Sequence, residues 1–114
     1  MRNTLLCFIL AYTAVAATAS AQDYPARHVR IVVPYAPGGS NDVVGRLIGG
    51  KLSENMKQQF IVENRAGAAG TIGTAHVVNS APDGYTLLVA SAGAITTAPS
   101  MYQKLPYDPL RDLT

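Results

Sequence analysis

Three glycine-bearing loops hold the residue types with the clearest potential for chemistry. They run from Tyr35 to Asn41, from Arg65 to Thr71 and from Ser91 to Ala94, and each follows an apolar run. Glycine lets a backbone approach a ligand closely, and the first two loops lead into predicted helices whose free N–H groups attract anions. Two such loops at one sheet edge can hold a carboxylate without a nearby Arg or Lys. Glycines that only form tight turns would give the same pattern.

The second loop also has part of the pattern of a dinucleotide-binding turn. Gly67, Gly70 and Gly73 follow a strand and open a helix, but their spacing is G-x-x-G-x-x-G instead of G-x-G-x-x-G. Asp83, the candidate ribose ligand, falls in a turn and not at the end of the next strand. A small exported α/β enzyme that depends on a nucleotide therefore stays open as the alternative function.

Other catalytic and metal-binding patterns are incomplete. Ser91 lacks the first glycine of a nucleophile elbow, and no histidine follows it. His28 and His76 have no metal-ligand spacing to an acid or to each other, and His76 is interpreted as a helix-surface residue. We therefore expect no catalytic residue, no metal and no cofactor.

The elements that must position these loops alternate between strand and helix. Buried strands are predicted at Val29 to Val33, Phe60 to Val62 and Thr86 to Ala90, because each is short, apolar and bounded by turn residues. The order strand, helix, strand, helix, strand predicts an α/β fold whose parallel sheet is covered by flanking helices. The carboxyl ends of such strands meet at one edge, so all three loops are expected there.

Two helices are predicted between the strands, and the segment from Ile95 to Met101 is predicted to form a short helical turn. The first helix runs from about Asn41 to Gln58 behind an N-cap at Ser40 or Asn41. Its buried face is predicted from the helical period as Val43, Val44, Leu47, Ile48, Leu52 and Met56. The second runs from about Thr71 to Ser80, with an inward face of Ile72, Ala75 and Val78. Gly49 and Gly50 would weaken the first helix by ~1 kcal/mol each if exposed.

The first 21 residues have the parts of an export signal. Arg2 supplies a positive start, Leu5 to Ala17 is apolar and uncharged, and Ala19 to Ala21 is a small-residue cleavage site. Cleavage is predicted after Ala21, because the apolar stretch is short for a membrane span of ~20 residues. The remaining chain has no cysteine, which favours a bacterial periplasmic protein over a small disulfide-linked secreted one.

Charge and length narrow the function further. Nine basic and seven acidic side chains give a formal net charge of +2 over 114 residues, which argues against a nucleic-acid binder with a basic face. Removal of 21 residues from 114 leaves 93, too few for a two-lobed protein. A domain of this size buries ~60–65% of its unfolded surface and is only marginally stable.

Four blocks of the sequence, in order, resemble the tripartite tricarboxylate transporter substrate-binding proteins, the Bug receptors. The blocks are Tyr24 to Asp42, Val62 to Gly73, Ala81 to Leu88 and Lys104 to Pro109. The resemblance implies a type II periplasmic binding protein with two α/β lobes that close on a ligand. Residues 22–114 would be the N-terminal part of the first lobe, with the second lobe absent.

The resemblance also implies a function and a set of ligand contacts. The protein would be a monomeric, non-enzymatic periplasmic receptor that binds a small carboxylate, an organic acid or amino acid, and delivers it to membrane permease subunits. Backbone groups and ordered water at the loops hold ligands in this family. Carried over by position, the ligand-binding residues are Pro37, Gly38, Gly39, Ser40, Asn41, Asp42, Gly67, Ala68, Ala69, Gly70, Thr71, Ser91, Ala92 and Gly93. Half a cleft is expected to bind weakly or not at all, and a fragment that never folds stably is a third interpretation.

Overall fold

The computed structural model describes residues 23–113, so the export signal predicted for residues 1–21 lies outside the described part. The strands and α-helices in chain order are β1 (Val29–Val33), α1 (Ser40–Met56), β2 (Phe60–Asn64), α2 (Thr71–Val78), β3 (Thr86–Leu88) and α3 (Ala98–Met101). A 3-10 turn at Ala68–Gly70 precedes α2, and a π-helical turn at Gly93–Thr97 leads into α3.

The three strands form a parallel sheet in the order β2-β1-β3, which confirms the predicted α/β fold. Ile31 at the centre of β1 is level with Val62 on one side and Leu87 on the other. The β1-to-β2 and β2-to-β3 crossovers run in opposite directions along the sheet, so right-handed connections place α1 and α2 on opposite faces. Compared with the prediction, β2 is two residues longer and β3 two residues shorter.

The core is built on β1. Val29, Ile31, Val32 and Val33 are at most 1% exposed. Val29 and Ile31 form a cluster with Phe60, against which half-buried side chains from both neighbouring strands and from α1 pack: Leu52, Met56, Val62, Tyr85, Leu87 and Val89. A central, fully buried strand fixes the position of the loop that follows it.

The predicted buried face of α1 is wrong for four of its six residues. Val43, Val44, Leu47 and Ile48 are 46–67% exposed, whereas Leu52 and Met56 do pack on the core. The helix instead rests on the sheet through Gly45 and Gly49, which are buried.

Close approach of the α1 backbone to the sheet explains this reversal. A Cβ on Gly45 would lie 3.0 Å from Val33 Cγ2, and one on Gly49 would lie 3.3 Å from Ile31 Cδ1. A Cβ at either position would make a tight contact that displaces its neighbour, so this face of the helix favours glycine. The helical period of the large apolar residues therefore points to the wrong side. Gly49 is therefore a packing residue, while Gly50 is exposed as the prediction assumed.

The predicted inward face of α2 is also wrong at its first residue. Ile72 is 56% exposed, whereas Thr71 and Thr74 are buried. Ala75 and Val78 are half-buried. The Thr74 hydroxyl donates to the Gly70 carbonyl at 2.8 Å, which satisfies a polar group on the side that faces the sheet.

Two local predictions need correction at helix starts. The N-cap of α1 is Gly39 and not Ser40 or Asn41, since Ser40 already lies in the helix. The loop predicted from Ser91 to Ala94 becomes helical after Ser91. This segment is held from outside, because the buried hydroxyl of Tyr107 donates to the Ala94 carbonyl at 2.7 Å; burial also raises the pKa of Tyr107.

Across residues 23–113, none of the helices combines the length and the apolar character that a membrane crossing requires.

Candidate functional site

The carboxyl edge of the sheet carries an open cavity of about 310 Å³. Its lining residues come from the first and third predicted loops: Tyr35, Gly39, Ser40, Asn41 and Ser91. Gly39, Ser40 and Asn41 lie at the start of α1, and Ser91 lies beyond the end of β3. The structure therefore brings two of the three loops together around one space.

Tyr35 connects the second loop to the other two. Its hydroxyl is hydrogen-bonded to the Ser91 hydroxyl at 2.5 Å. Gly70 packs so closely on the Tyr35 ring that a Cβ there would lie 2.9 Å from the hydroxyl oxygen. Sequence reasoning placed Tyr35 in the first loop but left it out of the ligand-contact residues; an aromatic residue just past the central strand was the available signal.

The first loop is anchored by Asp42. One carboxylate oxygen accepts hydrogen bonds from the Gly38 amide at 2.9 Å and from Arg46 Nε at 3.1 Å. The other accepts from Asn64 Nδ2 at 2.9 Å and lies 3.0 Å from Arg46 Nη2. Asp42 is only 4% exposed, so its acceptors are used inside the protein and hold the loop in place.

Asn64 extends this anchor to the ends of two strands. Its side-chain amide lies at the last position of β2 and donates both to Asp42 and to the Tyr35 carbonyl, the latter at 3.1 Å. The contacts tie the end of β1, the first loop and the end of β2 into one unit. Neither Asn64 nor Arg46 was a candidate site residue in the sequence.

The ionised form of Asp42 is strongly favoured. The hydrogen bond from Arg46 contributes most to lowering the pKa of this carboxyl from 3.8 to about 2, followed by those from Gly38 and Asn64. A lowered pKa means that the charged carboxylate stabilises the folded state above the ordinary pKa of about 3.8. That contribution is lost as the pH falls through about 2.

We therefore expect Asp42→Asn to lower the stability of the protein and to flatten its acid dependence. The parent protein should lose stability between pH 4 and pH 2 more steeply than the variant, since only the parent has a carboxyl to protonate there. Urea unfolding at a series of pH values measures both effects. Parallel pH curves for the two proteins would contradict this role of Asp42.

The second loop bends through four consecutive residues with positive φ. Gly67, Ala68, Ala69 and Gly70 have φ values of 141°, 45°, 53° and 92°. For the two alanines this conformation costs ~1–2 kcal/mol each, a strain that persists only where the surroundings impose it. The bend brings Gly70 against Tyr35, and the Thr71 hydroxyl closes the turn by donating to the Ala68 carbonyl at 2.9 Å.

The predicted contact residues fall into two groups. Gly39, Ser40, Asn41 and Ser91 line the cavity. The others are not among its lining residues: Pro37, Gly38, Asp42, Gly67, Ala68, Ala69, Gly70, Thr71, Ala92 and Gly93. Direct ligand contact by either group remains a prediction.

Another cavity, of about 160 Å³ and lined largely by polar groups, lies at the opposite edge of the sheet. Arg27, His28 and Arg30 line it, but the arginines already have acidic partners: Arg27 is 2.9 Å from Asp83 and Arg30 is 3.9 Å from Glu63. The positive charge at this edge is therefore largely compensated within the protein. Arg65 likewise pairs with Glu63.

The remaining observations concern the metal-binding and nucleotide-binding sites that were considered from the sequence. His76 is half-buried, and its buried Nε2 has no hydrogen-bond partner among the described residues, so it is less exposed than predicted. In residues 23–113 no three His, Cys, Asp or Glu side chains gather as a metal site would need. The glycines at 67, 70 and 73 each face a side chain or backbone of this chain, which accounts for their spacing without a nucleotide.

Comparison with known proteins gives a consistent result. BugT of Bordetella pertussis is 44% identical over 105 residues, which are 91% of this chain and 32% of BugT. The solved structure of the periplasmic binding protein BugD has a TM-score of 0.74 and 43% identity, covering 78% of this chain and 29% of that one. MatC from Rhodopseudomonas palustris with bound malate matches with a TM-score of 0.74 and 40% identity, over 78% of this chain and 30% of MatC.

The chain thus spans about one third of the length of the relatives that it matches. The model of the tripartite tricarboxylate transporter family receptors, TctC, matches residues 44–114, more than half of the chain. It covers α1 from Val44 onward, the second loop and everything that follows. The chain therefore belongs to the TctC family of tripartite tricarboxylate transporter receptors, a family of solute-binding proteins that includes the Bug proteins.

Proposed function

We propose that this chain is the N-terminal part of a periplasmic solute receptor that binds a small carboxylate for uptake. The observation that carries the proposal is the cavity at the carboxyl edge of the sheet, where the first and third loops meet around Tyr35. The site faces the N-terminus of α1, whose dipole and free amides favour an anion. Malate bound to MatC supports a carboxylate as the ligand class.

The ligand contacts proposed within this portion are backbone amides and small hydroxyls. Ser40, Asn41 and Ser91 line the cavity with polar groups, and none of the lining residues is a cation. Each hydrogen bond from such a group to a charged ligand contributes ~1.5–3 kcal/mol. The remaining contacts would come from a second lobe, so selectivity among carboxylates is expected to depend on both lobes.

The cellular location and the partners proposed for the receptor follow from the family. Cleavage after Ala21 would release the mature protein into the periplasm as a monomer, which would then deliver its ligand to the membrane permease subunits of the transporter. Catalysis is not part of this proposal, because the family is one of receptors. The nucleotide-dependent enzyme considered from the sequence finds no support in these relatives.

Calorimetric titration tests the proposal. The protein used is the complete reading frame that contains residues 1–114, expressed without residues 1–21. It is titrated with malate, succinate, citrate, glutamate and benzoate, and malate dimethyl ester is the uncharged control. We expect at least one acid to bind and the ester to bind at least tenfold more weakly, since it lacks the charge that the amides recognise.

Two outcomes would contradict the proposal. A folded protein that binds none of the acids would not be a carboxylate receptor. A rise in melting temperature with NAD, in the absence of any such rise with the acids, would favour the alternative enzyme.

A further inference from the structure

Tyr35 occupies a position that the ligand-binding proposal does not explain. Its backbone carbonyl is fixed by Asn64 at 3.1 Å, and its half-buried ring reaches across the sheet edge to Ser91. The ring therefore runs beside the cavity from the first loop to the third. A tyrosine held at both ends in this way can orient the group that it touches.

Ser91 is that group, and it receives two hydrogen-bond partners. Its hydroxyl oxygen accepts the Gly93 amide at 3.3 Å and lies 2.5 Å from the Tyr35 hydroxyl. A serine oxygen can accept two hydrogen bonds and donate one. If Tyr35 donates, both acceptor positions of Ser91 are filled, and its own hydrogen is left for a third partner.

The surroundings of the Tyr35 hydroxyl favour this direction. A Cβ on Gly70 would lie only 2.9 Å from that oxygen, so the second loop leaves little room for a ligand beside it. Tyr35 and Ser91 both line the cavity, but with Tyr35 as the donor only Ser91 keeps a hydroxyl hydrogen for a ligand. A phenol is also a better donor than an aliphatic alcohol, and a donor chain of two hydroxyls strengthens each bond in it.

We infer that Tyr35 is a positioning residue that donates to Ser91 and thereby turns the Ser91 hydroxyl hydrogen into the cavity, toward a carboxylate oxygen of the ligand. The inference rests on the proposed function, because it assigns a donor to the same site. It makes Tyr35 a determinant of carboxylate affinity through the Ser91 hydroxyl, in addition to its place in the cavity lining.

Affinity measurements on four variants of the complete protein test the inference, with malate, succinate and citrate as probes. Tyr35→Phe removes only the hydroxyl and should weaken binding of the best probe about 3- to 10-fold. Ser91→Ala removes the proposed donor and should weaken it about tenfold or more. In the Ser91→Ala background, Tyr35→Phe should have less than about a twofold further effect, because its partner is gone.

A conservative replacement and a matched control separate positioning from general stability. Ser91→Thr keeps a hydroxyl, so the effect of Tyr35→Phe should return in that background. Tyr24→Phe is the matched control. It also removes a hydrogen-bonded tyrosine hydroxyl, but this hydroxyl donates to the Gly84 carbonyl at the opposite edge of the sheet. It should leave affinity unchanged.

The outcomes distinguish this inference from the proposed function. Failure of the parent protein to bind any probe would overturn both. Binding by the parent with additive losses in the double variant, or with no loss in Tyr35→Phe, would overturn the role of Tyr35 and leave the receptor function standing.

Discussion

Gly73→Ala is expected to destabilise the protein by ~3 kcal/mol or more. A Cβ at this position would lie 2.6 Å from Pro34 Cβ, 2.8 Å from Pro34 Cα and 2.7 Å from the Arg65 carbonyl oxygen. Two of these three atoms belong to the backbone and cannot rotate away, so α2 must move off the sheet. Overpacking of this kind typically costs ~1–3 kcal/mol, and more where the obstacle is rigid. Urea unfolding followed by circular dichroism measures the loss.

Gly50→Ala is the matched control, because it makes the same chemical change on a helix without an obstacle. Gly50 is exposed on α1, and nothing lies within 4 Å of the position of its Cβ. Alanine should stabilise the helix there by ~0.5–1 kcal/mol. Equal effects of the two substitutions would show that close packing does not decide the response at Gly73.

Gly70→Ala is expected to damage both the stability of the protein and its ligand site. Gly70 has φ 92°, where an L residue is strained by ~1–2 kcal/mol. The new methyl group would also lie 2.9–3.1 Å from three atoms of the Tyr35 side chain, which adds an overpacking cost of ~1–3 kcal/mol. Because Tyr35 is hydrogen-bonded to Ser91, the ring would be displaced from the group that it holds.

Gly38→Ala separates these two effects. Gly38 has a similar φ of 86°, but nothing lies within 4 Å of its Cβ position. It should show the backbone strain alone, so Gly70→Ala should cost ~1–3 kcal/mol more. Unfolding by urea gives the two stabilities, and calorimetry with the acid that binds best gives the affinities. Equal losses in both variants would contradict a packing role for Gly70 against Tyr35.

The sheet could be predicted from the sequence because its signal is local. Val29 to Val33 is a short, β-branched and apolar run that ends at Pro34, and the structure has β1 at those residues. Alternation with two helical periods then implies parallel strands, and parallel strands place their following loops at one edge. The location of the candidate site follows from that order alone.

The helix faces could not be predicted in the same way. Gly45 and Gly49 lie on the inner face of α1 because the helix backbone there is close to Ile31 and Val33, and such a distance is a property of the assembled layers. A pattern analysis that searches for large apolar side chains assigns the opposite face. The same reason explains Ile72 on α2, which is exposed while Gly73 meets Pro34.

Asp42 was among the predicted site residues, but its partners Arg46 and Asn64 were not. Asp42, Arg46 and Asn64 form one network, yet Asn64 is 22 residues from Asp42. Each residue alone has an ordinary explanation as a helix cap, a surface cation or a strand end. Asp42 and Arg46 lie one turn apart on α1, and the pairing of β2 with β1 brings Asn64 to them.

When a helix contacts its neighbours through glycine, its large side chains point away from that contact. On α1 these are Val43, Val44, Leu47 and Ile48, each about half exposed or more. In residues 23–113 they form an exposed apolar strip along the outer surface of α1. Exposed apolar strips favour self-association and the binding of apolar dyes. Warming strengthens that attraction over ordinary temperatures. The colloidal behaviour of this portion in water is therefore set by the same two glycines that fit the helix to its sheet.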